Sequence, residues 1–166
     1  NTQPVITISA SPFTSLMPGI FTTLTATVTP PNPANTIVWY RNGNMVPGAS
    51  GLTLGVSVDE LGIYTARVTT ASNCTALSNA ITIKDSVSNW LFITPNPNSG
   101  LFKVRYYSGA TNPGLLRHLV IYANNGQRVY ERSFTITAAY SSMDVDARHL
   151  SKGLYVVMVT DSFREV

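Results

Sequence analysis

Groups able to do chemistry are sparse in this sequence. Asp144 and Asp146 form a D-x-D on one strand face, His118 and His149 are the two histidines, and Cys74 is the single thiol in 166 residues. Calcium takes about six to eight oxygen ligands, so two carboxylates without further donors read as a solvated strand face. Neither histidine has a companion at zinc-ligand spacing. Cys74 follows Asn73 in a turn and both histidines lie in the other half of the chain, which leaves thiol catalysis without a base. No G-x-S-x-G elbow and no phosphate-cradling glycine loop occurs. The expectation is a chain without an active site, metal or cofactor, so its function must lie in surfaces that strands and turns position.

Composition agrees with that emphasis. Apolar residues make up 44% of the chain, enough for a core, whereas charged residues make up only 11%, well under the roughly 25% of ordinary globular proteins. Thr, Ser and Asn supply the polar surface instead, and β-branched Thr suits a pleated one. The net charge of +3 comes from scattered Lys and Arg interleaved with Asp and Glu, so no stripe for nucleic-acid phosphates is expected. One cysteine cannot form an internal disulfide. No run of about 18 apolar residues suggests a transmembrane segment. The opening NTQPVITISAS lacks a basic leader, so the chain reads as a mature start or as a piece of a longer one.

Periodicity is two almost throughout. Leu24, Ala26 and Val28 alternate with Thr23, Thr25 and Thr27; Leu52, Leu54, Val56 and Val58 alternate with small polar residues; and Tyr64, Ala66 and Val68 alternate with Thr65, Arg67 and Thr69. Asn42-Gly43 marks a two-residue hairpin. About seven strands are expected in the first half, near 4–9, 21–29, 36–41, 45–46, 51–58, 62–69 and 79–84. Trp39 on the third strand and the run Asp59 to Tyr64 carry a resemblance to an immunoglobulin-like or PKD-like sandwich. That resemblance implies Trp39 as central core plug and Tyr64 as a corner whose hydroxyl bonds back to upstream backbone. The positions of the usual bridging cysteines correspond to Ala26 and Ala66, so the inter-sheet bridge is absent.

The segment from Lys84 to Asn89 is polar and has nothing to bury, which reads as a domain boundary. The expected division is an Ig-like domain over 1–84, a linker over 85–91 and a second β domain over 92–166. Thr94-Pro95-Asn96-Pro97 must be rigid and irregular, because proline donates no ladder hydrogen bond and restricts the residue before it. The prolines are expected to aim the first strand of the second domain. Asn98-Ser99-Gly100 supplies turn chemistry, after which Phe102, Val104 and Tyr106 alternate with Lys103, Arg105 and Tyr107. A strand, a primed turn at Asn125-Gly126 and a second strand follow. The chain then runs through a short strand and a loop near Leu150–Gly153 to a strand over 154–159, whose two apolar faces suggest a central position. The fold expected is all-β, two small sandwiches in tandem, with about six strands in the second.

Four motifs in the second half resemble the C-terminal sorting domain of proteins exported by the type IX secretion system of Bacteroidetes. They are Pro95-Asn96-Pro97 with Ser99 and Gly100; Ile121 and Tyr122; Gly126 and Val129; and Leu150, Ser151, Gly153 and Tyr155. The resemblance implies export across the outer membrane to the cell surface or medium, with the translocon and a sortase as partners and a cut in the linker. It also implies a further short basic strand, expected beyond DSFREV. Asp85-Ser86-Val87 resembles the O-glycosylation site of that phylum, with Ser86 as acceptor, whereas Asn73-Cys74-Thr75 fits the N-glycosylation pattern by chance. The expected function is a monomeric, non-catalytic C-terminal region of a larger secreted protein, the Ig-like part acting as spacer. The alternative is an adhesin or carbohydrate-binding module, with Trp90, next to the linker, and the 45–50 loop as suspects.

Overall fold

The structure is a computed structural model and describes residues 3–109 and 115–161. The chain divides into two compact units, Asn1–Ser86 and Val87–Val166. No helix among the described residues is long and apolar enough to cross a membrane.

In the first unit one antiparallel sheet holds β1 (Val5–Ser11), β3 (Thr22–Thr29) and β6 (Thr53–Val56), in the order β1-β3-β6. The facing sheet is ordered β2-β9-β7-β4-β5, from β2 (Ser15–Leu16), β9 (Ile81–Asp85), β7 (Gly62–Thr69), β4 (Thr36–Arg41) and β5 (Asn44–Ser50), with β8 (Thr75–Leu77) also on β7. Alternation decides the inner face: Leu24, Ala26 and Val28 are buried while the threonines between them are exposed. Trp39 is fully buried opposite Ala66 and donates its indole N–H to the Gly51 carbonyl at 3.0 Å. Its core neighbours include Ile6, Leu16, Val56 and Tyr64. The Tyr64 hydroxyl donates to the Glu60 carbonyl, closing the corner that the sequence implied. Burial raises the Tyr64 phenol above its usual pKa, partly offset by Arg41.

Strand limits depart from expectation where local capping intervenes. Ser57 caps a 3₁₀ turn over Val58–Glu60, its N–H bonded to the Glu60 carboxylate at 3.0 Å, and this ends the expected 51–58 strand at Val56. β5 runs over Asn44–Ser50 rather than 45–46, with Pro47 at the sheet edge, where its missing N–H is tolerated. β2 and β8 are too short to leave a periodic signal. Asn42 (φ 51°) and Gly43 (φ 80°) form the primed hairpin turn between β4 and β5.

Among the described residues the second unit has two three-stranded antiparallel sheets. One is ordered β10-β11-β14, from β10 (Leu91–Thr94), β11 (Leu101–Tyr106) and β14 (Met143–Asp146); the other is β13-β12-β15, from β13 (Arg128–Ile136), β12 (Leu115–Ala123) and β15 (Tyr155–Asp161). Val104, Leu119, Ile121, Met143 and Val145 are buried between them. Asp85 closes β9 and Leu91 opens β10, so residues 86–90 lie between the strands of the two units. The fold is all-β, a tandem of β-sandwiches.

Three expectations are corrected here. The prolines do not precede the first strand: β10 comes before them, and Pro95 and Pro97 lie in the connection to β11. The Asn125-Gly126 turn is not primed, because only Gly126 has positive φ (81°). Gly126 N–H donates to Ala123 O and Ala123 N–H to Gln127 O, a type I turn closed by a left-handed glycine. β15 is an edge strand of its sheet among the described residues, not a central one. Its inner face, Tyr155, Val157 and Val159, packs on the core, while Val156 and Met158 on the outer face remain 62% and 43% exposed. Two apolar faces therefore signalled a core on one side and an open apolar surface on the other.

Candidate functional site

Strand register collects the motifs of the second unit at one end. Leu101 pairs with Asp146 and Thr94 with Lys103, so the β10–β11 loop (95–100) and the segment after β14 (147–154) leave the first sheet at the same end. Ala123 pairs with Tyr155, so the β12–β13 turn (124–127) emerges beside the start of β15. Segments more than twenty residues apart in sequence thus share one surface.

Direct bonds lock two of these segments together. The Asn98 side-chain oxygen accepts from Gly100 N–H at 2.8 Å, and Gly100 O accepts from Ala147 N–H at 2.7 Å. Gly100 sits at φ 96°, and a Cβ there would meet the Arg148 Cα at 2.8 Å. Only glycine permits that approach. Arg148 turns back onto Asp146 with an N–O distance of 2.6 Å, and its own N–H adds a bond to the same carboxylate at 3.2 Å. The guanidinium hydrogen bond, then the backbone one, hold the Asp146 carboxyl down at about 2; Arg148 is raised in turn. Leu150 N–H donates to Ala147 O at 3.0 Å, and the Tyr155 hydroxyl donates to Ser151 O at 2.6 Å.

Among the sequence-predicted residues, Pro95, Asn96, Pro97, Ser99, Gly126 and Gly153 are exposed at this end, and Gly100 is half-buried. Val129, Leu150 and Tyr155 pack against the core, so they support the surface rather than form it. Tyr122 faces outward from β12 between Arg128 and Val156. Ser86 ends the first unit with its N–H on Leu16 O at 2.7 Å, half-buried, while the following Val87 is exposed.

The residues first considered for chemistry stay apart. Asp144 accepts from the Ser142 hydroxyl at 2.6 Å, and His118 Nδ1 lies 2.7 Å from the Ser133 hydroxyl on an open sheet face. His149 is exposed beside Arg148. Cys74 is half-buried and near the Ser72 hydroxyl, 3.8 Å from its sulfur. No group of three His, Cys, Asp or Glu that could hold a metal occurs among the described residues.

Two features escaped the sequence reading. Arg117 is fully buried, makes a two-point contact with Asp161 at 2.5 and 3.1 Å, donates to Tyr106 O at 2.8 Å and lies over the Tyr106 ring. Its signal was present: Arg117 occupies an inward position between Leu115 and Leu119, where alternation calls for an apolar residue. The second is a chain of rings, Trp90, Phe92 on β10, Tyr140 and Tyr107, brought together from segments far apart in sequence.

Residues 93–166 match the family described as the secretion system C-terminal sorting domain. The match begins at Ile93 within β10 and spans all of the clustered motifs. No curated protein matches the chain. Among solved structures, the human OSCAR ligand-binding domain is similar at 17% identity, over 96% of this chain and 90% of its own, with a TM-score of 0.42. Dimeric latent PorU from Porphyromonas gingivalis is similar at 15% identity, with a TM-score of 0.41; the match covers 98% of this chain but only 19% of PorU. The sorting domain carries a role as a secretion sorting signal.

Proposed function

We propose that this chain is the non-catalytic C-terminal region of a larger secreted or cell-surface protein. The sorting domain directs export across the outer membrane by the type IX system, and the first unit acts as a spacer between cargo and signal. The observation that carries this reading is the family match over residues 93–166 together with the convergence of its motifs on one end.

A machine that exports unrelated cargoes must read a shape the cargo does not influence. Preformed surfaces suit this, since little ordering entropy is lost when a rigid segment binds. The 95–100 loop, pinned through Gly100 to the backbone at Ala147, meets that requirement. The translocon and a sortase are the proposed partners, with the loops presenting Pro95, Asn96, Pro97, Ser99 and Gly153 to them. Residues 86–90, between the strands of the two units, are the proposed cleavage segment, and Ser86 is the proposed glycan acceptor.

The test fuses residue 87 through the native stop codon of the gene to a periplasm-directed reporter in a Bacteroidetes host. The reporter is expected outside the outer membrane, and to stay in the periplasm in a mutant lacking the translocon. Periplasmic retention in the wild-type host overturns the reading.

A further inference from the structure

We propose that the outer face of the β10-β11-β14 sheet, headed by Trp90, is a stacking site for a neutral carbohydrate chain. It is independent of the sorting role. Trp90 and Phe92 precede Ile93, where the family match begins, and lie at the end of the unit opposite the motif loops. The two outer rings of the site therefore lie ahead of the matched segment and away from the motif loops.

The rings are braced in place. Trp90 is 72% exposed, yet its ring lies 6.5 Å from Phe92, which meets Tyr140 edge-on at 5.9 Å, and Tyr140 in turn lies 5.4 Å from Tyr107. Tyr140 is buried and its carbonyl accepts from Arg105 at 2.8 Å. Trp90 N–H donates to the Ser88 hydroxyl at 3.1 Å, fixing the backbone at the outer ring. The exposed ring backed by Phe92 offers a flat apolar face, which matches the C–H face of a sugar ring.

Polar groups on the same face suit hydroxyls. Phe92 is in register with Arg105, Thr94 with Lys103, and Lys103 with Asp144, which already accepts from Ser142. Donors and acceptors thus alternate beside the rings. Lys103 and Arg105 share this face with Asp144 and with Asp146, which is already paired with Arg148, so the face carries both signs in small number, and an uncharged polyhydroxyl chain can use donors and acceptors alike. From Trp90 to Thr94 the face runs roughly 13 Å at the strand rise, the span of a short run of sugar rings.

Intrinsic fluorescence tests the site directly. Trp39 is fully buried and Trp90 is open, so acrylamide quenching of the whole 166-residue chain reports Trp90. Glucan, mannan and xylan serve as neutral probes, in affinity electrophoresis and in quenching, with heparin as the polyanion. At least one neutral polysaccharide is expected to retard the protein and shield Trp90. Trp90→Ala should weaken that binding about tenfold or more, and Phe92→Leu, which removes the brace but keeps apolar bulk, should weaken it less, both with unchanged unfolding midpoints. Retardation by heparin alone, by none of the probes, or to an equal extent in both variants overturns the proposal.

Discussion

The hydroxyl of Tyr155 donates to the carbonyl of Ser151, four residues back along the chain, across the same span that Tyr64 closes onto Glu60 in the first unit. Both tyrosines follow a G-x step, Gly153-Leu154 and Gly62-Ile63. Each unit thus ties the loop before a strand to that strand's first residues by the same device.

Removing either hydroxyl should cost about 1 kcal/mol, the usual net value of such a bond. Tyr64→Phe is expected to shift the denaturant midpoint read from buried Trp39, and Tyr155→Phe the one read from Trp90, since each tryptophan reports its own unit. Tyr64 adds a pH signature. Its raised pKa favours the neutral phenol in the folded state, so its contribution is complete below the unfolded value near 10 and is lost as pH rises through the folded one. The alkaline decline in midpoint should be shallower in Tyr64→Phe.

Gly100 and Gly126 both have positive φ, but only Gly100 faces backbone within van der Waals reach. Gly126→Ala should cost about 1 kcal/mol from its left-handed conformation alone. Gly100→Ala adds a collision with Arg148 and should cost about 3 kcal/mol or more. Equal midpoints for the two variants in urea would refute the docking of the 95–100 loop on Ala147 and Arg148.

Arg117 and Asp161 should show strong coupling. Asp161→Ala strands a buried guanidinium and should destabilise the second unit by about 3 kcal/mol. Arg117→Met replaces the buried charge with apolar bulk and should cost less, and the double variant should resemble Arg117→Met rather than the sum. Urea denaturation of the four proteins checks this.

The Asp146 carboxyl should titrate at about 2 in an NMR pH series. Because its folded pKa is depressed, its contribution to stability is present above the unfolded value and fades as pH falls through the folded one. Arg148→Ala should return the titration to the ordinary carboxylate range.

Much of the architecture was legible in local pattern. The threonine alternation around Leu24, Ala26 and Val28 set β3 and its inner face, and Asn42-Gly43 announced its turn, because these depend on neighbours one or two residues away. Tertiary partners left weaker marks. Gly100 reads as an ordinary turn glycine until Arg148, forty-eight residues on, is placed against it. The Asn125-Gly126 pair supports two turn types, and the strand register chooses between them. Sheet order is non-local too, so the outward Val156 and Met158 looked like core. At the candidate site, the motif residues were visible as a string, but their gathering at one end follows from pairings between distant strands.

Ala26 and Ala66, buried on β3 and β7 in the two facing sheets of the first unit, are packed without a covalent link between the sheets. Within these 166 residues the lone Cys74 has no mate, and the packing around Trp39 does the work of a covalent staple. Such a module can reach its final form before, during or after passage between reducing and oxidising surroundings, without waiting for an oxidant or a disulfide isomerase.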